Sequence, residues 1–136
     1  MSLRISLRDG EKVIVNGAVL RAVGRTSLCV ENNVTLLKGR DVMAPEEATT
    51  PARQLYFACM MAYIDPKDSE RHQNTIVEIV RQLLGAIATA DARATCIAFA
   101  EKVAAGQFYR ALADCRWLMN YEAEALARHG QVPVTA

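Results

Sequence analysis

The first forty residues alternate between apolar and polar side chains with the two-residue period of β-strands. Leu3, Ile5 and Leu7 are separated by polar residues, which predicts a first strand with one buried and one solvated face. Two-residue turn signals interrupt the pattern at nearly even intervals, at Asp9-Gly10, Asn16-Gly17, Gly24-Arg25 and Asn32-Asn33. Connections this short favour antiparallel pairing of consecutive strands, so the segment predicts a meander of about five strands that can curl into a small barrel.

The strands are predicted at residues 3–8, 11–15, 18–23, 26–31 and 34–38. Asn16-Gly17 is the strongest hairpin signal, because this pair favours a type I′ turn. Two apolar runs, Val13-Ile14-Val15 and Val19-Leu20, break the strict alternation. Either these strands are covered on both faces, or the sheet packs against another copy of the chain.

After Asp41 the apolar residues recur with the period of helices. Thr50-Pro51 predicts a helix start, since threonine caps helices and proline suits their first position. The residue before Pro66 disfavours helical geometry, so this helix should end near Ile64. Further helices are predicted from Ser69 or Asn74 to about residue 87, from an N-cap at Asp91 to about residue 105, and over residues 107–129.

These elements predict an α+β fold: an N-terminal antiparallel β-meander of about five strands followed by a bundle of about four α-helices. We expect a β-rich module at residues 1–40 and a helical module at residues 41–136, joined in one compact folding unit. A chain of 136 residues, 51% of them hydrophobic, can bury a core without disulfides or metals. No apolar run reaches the length of a membrane span, and no signal-peptide core follows Met1, so we expect a cytoplasmic protein.

The net charge of +1 conceals an uneven distribution. Residues 1–40 hold seven basic and three acidic residues, a net of +4, whereas the remainder carries −3. Arginine donates two hydrogen bonds to one phosphate, so a basic sheet can face a polyanion such as RNA. The candidate RNA-binding residues are Arg4, Arg8, Lys12, Arg21, Arg25 and Arg40; a merely solvated sheet face is the other interpretation.

All eight aromatic residues lie after residue 50, so the sheet module has none. Stacking of bases on aromatic strands is therefore excluded there, and RNA recognition would use phosphates and base edges. In the first helix, Tyr56, Met60 and Tyr63 share one face. This face favours a core helix, with a partner-binding groove as the alternative, because methionine adapts to varied partners.

No catalytic or metal-binding motif is present. His72 and His129 are isolated, and no P-loop or dinucleotide fingerprint occurs. The four cysteines lack CxxC spacing, which indicates reduced thiols, three of them in apolar helical stripes. We therefore expect neither an enzyme nor a resident metal or cofactor.

Two blocks of the sequence resemble the FlbT family of flagellum biosynthesis regulators. They are LRISLRDGEKVIVNGAVLR at residues 3–21 and TPARQLYFACMMAYIDP at residues 50–66, and their order and separation fit the family. The resemblance covers most of the chain, from Leu3 into the fourth helix. It implies a post-transcriptional regulator without catalytic residues, acting at the 5′ untranslated region of flagellin mRNA, with repression in some bacteria and activation in others.

Two functions stay open from the sequence. In the first, the basic module binds the flagellin mRNA leader directly. In the second, the chain is a protein-interaction adaptor in flagellin supply, which binds flagellin or a companion flagellar regulator and affects the mRNA indirectly. Apolar positions on both faces of the second and third strands also suggest a homo-oligomer.

Overall fold

A computed structural model describes residues 3–129, which form five β-strands followed by four α-helices, and the predicted α+β class is confirmed. The strands are β1 (Leu3–Leu7), β2 (Lys12–Val15), β3 (Ala18–Arg21), β4 (Thr26–Val30) and β5 (Leu36–Lys38). The helices are α1 (Pro51–Ile64), α2 (Ser69–Ala86), α3 (Ala90–Ala104) and α4 (Phe108–His129).

The strands form two antiparallel sheets. β1 pairs with β4, so that Ile5 lies opposite Leu28. The other sheet has the order β3-β2-β5, in which Ile14 of β2 lies between Val19 and Leu37. The type I′ geometry predicted for the β2–β3 turn is confirmed by the positive φ angles of Asn16 (50°) and Gly17 (86°).

The predicted sequential pairing of a meander is wrong for every consecutive pair except β2 and β3. Gly10 does make a turn, with φ of 82°, but the turn does not close a hairpin between β1 and β2. The Asp9 carboxylate accepts a hydrogen bond of 2.7 Å from the backbone N of Gly24, and the N of Gly10 donates to the carbonyl of Ala22 at 2.8 Å. These bonds join the β1–β2 turn to the β3–β4 turn, and β1 is thereby directed to β4.

β2 is covered on both faces, which explains why its sequence does not alternate. Val13 packs with Ile5, Leu7 and Ala22 in a small core between the sheets. Ile14 faces the other way and belongs to the main core with the helices. β3 is different, because all four of its residues are exposed.

α1 begins and ends as predicted. Thr50 is its N-cap and accepts a hydrogen bond from the backbone N of Arg53 at 3.3 Å. α1 packs against α2 and α4, α3 packs against α4, and α1 supplies seven buried residues to the main core. The N-cap predicted for α3 at Asp91 is wrong: Thr89 caps this helix by accepting from the N of Ala92 at 3.2 Å.

A connector, residues 39–50, joins the sheets to α1 and contains two short 3₁₀ turns, Gly39–Asp41 and Pro45–Glu47. Tyr56 of α1 donates a hydrogen bond of 2.7 Å to the carbonyl of Asp41, and Tyr63 donates to the carbonyl of Leu36 at 3.3 Å. These bonds fix the connector and β5 to the first helix. A groove lies between the sheets, the connector and α1.

Candidate nucleic-acid interface

A wide groove lies between the sheets, the connector and α1. Its volume is about 1920 Å³, which exceeds the roughly 300–1,000 Å³ of small-molecule pockets and suits an extended ligand. Basic and acidic side chains both line it. The basic residues are Arg8, Lys12, Arg25, Lys38 and Arg40, and the acidic residues are Asp9, Glu11, Asp41, Glu46 and Glu47.

The acidic groups of the groove are largely engaged with the protein itself. Glu11 accepts a hydrogen bond of 2.8 Å from the backbone N of Arg8. Glu47 accepts one of 2.8 Å from the N of Ala44, and Asp9 binds the N of Gly24 as described above. These carboxylates shape the loops around the groove, and their bonds to backbone N–H groups fix their positions while their negative charge remains.

The cationic groups of the groove are mostly free. Among residues 3–129, the side chains of Arg8, Lys12, Arg25 and Arg40 make no hydrogen bond or ion pair. Lys38 is the exception, since its Nζ donates to the carbonyl of Ser6 at 3.3 Å and bridges the two sheets. The five basic and five acidic residues of the groove balance in charge, but most of the acidic side chains are held by the protein, whereas most of the basic ones are free to contact a ligand.

The groove brings together four of the six basic residues that the sequence predicts to bind RNA: Arg8, Lys12, Arg25 and Arg40. The other two do not line it. Arg4 lies opposite Cys29 on the face of the β1–β4 sheet away from buried Ile5, and Arg21 lies opposite Lys12 on β3 without lining the groove. Arg4 shares the exposed face of β1 with Ser6, which does line the groove, so strand alternation alone does not explain why Arg4 is outside it. The placement of Arg25 depends on the turn pairing that the sequence did not reveal.

A polar network lies beside the groove where the connector meets α1 and α4. Arg116 of α4 forms an ion pair with the carboxylate of Asp41, and its Nη2 donates to the hydroxyl of Tyr56 at 3.0 Å. The guanidinium also lies over the Tyr56 ring, 5.4 Å from its centroid. Burial raises the pKa of Tyr56 to about 12, although the charge of Arg116 opposes the shift, so this hydroxyl stays a hydrogen-bond donor.

The structure places the aromatic and methionine residues of α1 mainly inside the protein. Tyr56 and Met60 are each only 2% exposed, which agrees with the interpretation of α1 as a core helix. Tyr63 is half-buried and its ring lies 5.5 Å from that of Tyr109. A partner-binding role for Tyr56, Met60 and Tyr63 stays a prediction, and of the three only Tyr63 has appreciable surface.

Other reactive groups are dispersed or buried. Cys59, Cys96 and Cys115 are buried, and burial raises the pKa values of the Cys96 and Cys115 thiols, while Cys29 is exposed. The Nε2 atom of His72 is hydrogen-bonded to the carboxylate Oδ2 of Asp65 at 3.0 Å. Between residues 3 and 129, no three histidine, cysteine or acidic side chains come together as a metal site.

Sequence reasoning missed Arg53 and Arg116, which lie with Arg40 at a smaller pocket next to the groove. They are on α1 and α4 and are far apart in the sequence, so no spacing rule connects them. One local signal existed for Arg53: it occupies the first turn of α1, where the positive end of the helix disfavours a cation.

A family model and several curated relatives match this sequence over nearly its whole length. The family described as "Flagellar protein FlbT" matches residues 3–126. A relative from Caulobacter sp. (strain K31), named "Probable flagellum biosynthesis repressor protein FlbT", is 37% identical over 93% of this chain and 97% of its own length. The relative of the same name from Agrobacterium fabrum is 37% identical over 98% of this chain and 90% of its own.

A further relative, from Caulobacter vibrioides (strain ATCC 19089 / CIP 103742 / CB 15), is named "Flagellum biosynthesis repressor protein FlbT" and is 35% identical over 93% of this chain and 90% of its own. No solved structure matches the chain. Within the described residues, no helix has both the length and the apolarity needed to cross a membrane. The match to residues 3–126 and the identity to these relatives over nearly their full length show that the chain belongs to the FlbT family of flagellar proteins.

Proposed function

We propose that this chain regulates flagellin expression after transcription, in the cytoplasm, by binding the 5′ untranslated region of flagellin mRNA. Relatives named flagellum biosynthesis repressors support a regulatory role in flagellum biogenesis. The observation that supports direct RNA contact is the groove. Four of its basic side chains have no hydrogen-bond or ion-pair partner within residues 3–129, while most of its acidic side chains bind backbone N–H groups. The activity is binding alone, with no catalytic step and no cofactor.

In this mechanism the RNA backbone lies along the groove. Arg8, Lys12, Arg25 and Arg40 bind successive phosphates, and release of counterions from the RNA drives association. The sheets lack aromatic side chains, so phosphate contacts determine affinity, and base edges determine sequence preference. A leader held in this way is either blocked or refolded, which changes flagellin synthesis.

A gel-shift titration of flagellin leader RNA with nuclease-treated protein tests the proposal. The informative variant carries Arg8→Gln and Arg25→Gln in the groove. The matched control carries Arg4→Gln and Arg21→Gln, which remove the same charge outside it. Each lost phosphate contact should weaken binding about 5-fold at about 0.1 M salt and flatten the dependence of log K on log salt by about 0.7.

We therefore expect the groove variant to lose about 25-fold and the control variant to stay near the wild type. Equal losses in the two variants would show that the module acts through its total charge, with the four substituted arginines contributing alike. Absence of leader binding by the wild-type protein at low salt would exclude direct RNA contact.

A second candidate function, the protein-interaction adaptor, is favoured by one observation. β3 pairs with β2 and with no other strand among the described residues, and its Val19 and Leu20 are 61% and 48% exposed. An open apolar edge strand can accept an extended segment of flagellin, of a companion regulator or of another copy of this chain. Co-purification with flagellin after nuclease treatment, lost on Leu20→Lys, would support the adaptor, and light scattering would reveal self-association.

A further inference from the structure

A smaller pocket adjoins the groove, between the connector, α1 and α4. Its volume is about 280 Å³, which suits one phosphate group with part of its sugar better than a whole cofactor. Three arginines, Arg40, Arg53 and Arg116, line it. Arg40 also lines the groove, so the pocket and the groove form one continuous surface with Arg40 at their junction.

Most of the donor capacity of these arginines is unused. Between residues 3 and 129, neither Arg40 nor the side chain of Arg53 makes a hydrogen bond or an ion pair. Arg116 uses only its Nη2, toward Asp41 and Tyr56. The Tyr56 ring and hydroxyl hold this guanidinium in place, so its remaining N–H groups are positioned before any ligand arrives.

The charges around the pocket favour an anion. Its lining acid, Glu47, already accepts a hydrogen bond from the N of Ala44, and the nearby carboxylate of Asp41 is paired with Arg116. Set against the three arginines, the carboxylates of Glu47 and Asp41 leave the pocket and its edge with a net charge of +1. Like charges gathered in one pocket repel each other, and a bound anion relieves that repulsion.

Phosphate is the anion that this donor set suits. Guanidinium groups bind phosphate oxygens through two parallel hydrogen bonds, and three of them can surround one phosphate. Asn120 at the pocket wall adds an amide donor for a sugar or phosphate oxygen. We infer that this pocket binds a phosphate of the RNA backbone and extends the groove onto the helices, an inference that rests on the proposed function for the source of the phosphate.

The first measurement uses inorganic phosphate as the probe. Thermal unfolding of the full chain is followed in phosphate and in chloride at matched ionic strength. Phosphate should raise the unfolding temperature of the wild type and leave that of Arg53→Gln unchanged. Arg81→Gln is the matched control, because Arg81 is an exposed arginine on α2, away from the pocket, and should respond like the wild type.

The second measurement uses flagellin leader RNA with a 5′-hydroxyl end. Arg53→Gln should bind it about 5-fold more weakly than wild type at about 0.1 M salt, with a salt dependence flatter by about 0.7, and Arg81→Gln should bind normally. The same RNA with a 5′-phosphate identifies the source. An affinity gain on phosphorylation that disappears in Arg53→Gln would assign the pocket to the RNA terminus instead of an internal phosphate.

The outcomes separate the two proposals. If the wild type binds leader RNA and Arg53→Gln binds it equally well, the pocket inference is overturned and the proposed function stands. If the wild type does not bind RNA but gains stability from phosphate through Arg53, the proposed function fails and the pocket is an anion site of another kind. If the wild type and Arg53→Gln have the same RNA affinity and the same response to phosphate, the pocket binds neither an RNA phosphate nor a free one, and the inference is wrong.

Discussion

The carboxylate of Glu122, in the second half of α4, accepts a hydrogen bond of 3.0 Å from the backbone N of Ala52 in the first turn of α1. The hydroxyl of Thr50, the N-cap of α1, donates to the same carboxylate. The first turn of α1 has no acidic residue of its own, so Glu122 supplies the negative charge that the N-terminus of a helix favours. One side chain thus joins the last helix to the first.

Glu122→Ala should therefore destabilise the whole fold, although Glu122 is only partly buried. Removal of the acceptor leaves the Ala52 N–H without a partner, and we expect the free energy of unfolding to fall by about 1–2 kcal/mol. Urea unfolding measures the loss. Glu124→Ala, an exposed neighbour on the same helix, should change stability by less than about 0.5 kcal/mol, and equal effects would disprove the capping role.

Two turn glycines should respond differently to alanine. Gly10 and Gly17 both have positive φ, 82° and 86°, which costs an alanine about 1 kcal/mol at either position. A Cβ at Gly10 would meet nothing within 4 Å, whereas at Gly17 it would lie 3.2 Å from the carbonyl oxygen of Ile64. Gly17→Ala should thus lose about 1 kcal/mol more than Gly10→Ala in urea unfolding.

Equal losses at Gly10 and Gly17 would mean that the β2–β3 turn moves freely away from the end of α1. A larger loss at Gly17 would show that the hairpin is held against the helix. That contact determines how the sheet is placed beside α1, and therefore the width of the groove.

Local signals predicted the ends of α1 and the β2–β3 hairpin, because caps, prolines and Asn-Gly turns act on their immediate neighbours. They failed for the sheet order. The pairing of β1 with β4 depends on the bonds of Asp9 with Gly24 and of Gly10 with Ala22, which join residues 15 and 12 positions apart. A turn signal predicts that the chain reverses, but it does not determine which strand becomes the neighbour.

For the candidate site too, the sequence predicted local features but not how distant segments come together. The excess of basic residues identified the module, and alternation correctly gave Arg4 a solvated position. It could not tell that Arg4 does not line the groove although Ser6 on the same face does, since that depends on how far the groove extends along β1. Arg53 and Arg116 become neighbours only through the packing of α1 against α4, which no sequence period encodes.

The ion pair between Lys102 of α3 and Asp114 of α4 should stabilise the fold measurably. Its Nζ–Oδ2 distance is 2.7 Å, and the two side chains are 26% and 17% exposed, so water screens it incompletely. A double-mutant cycle with Lys102→Met and Asp114→Asn should give a coupling of about 1 kcal/mol. The comparison pair, Arg71 and Asp68, is 70% and 55% exposed and should give about 0.3 kcal/mol.

If the two pairs gave the same coupling, the partial burial of Lys102 and Asp114 would add nothing to the strength of their ion pair. High salt separates these cases further. About 1 M sodium chloride should remove most of the coupling of the exposed pair while leaving much of that between Lys102 and Asp114.

Tyr56 should make stability fall with pH in the alkaline range. Burial raises its pKa from 10.0 to about 12, while an unfolded tyrosine loses its proton near pH 10. Between these values the native chain holds a proton that the unfolded chain has lost. The free energy of unfolding therefore falls as pH rises from about 10 to about 12, and the contribution is fully present below about pH 10.

Tyr56→Phe removes this contribution and also the hydrogen bonds with Asp41 and Arg116. At neutral pH the variant should be about 1 kcal/mol less stable than the wild type, since each bond contributes modestly. Urea unfolding at about pH 9 and about pH 11 should show a smaller loss in the variant than in the wild type. Parallel losses would show that Tyr56 titrates in the folded protein as it does when unfolded, and that its hydroxyl is not held between the connector and α4.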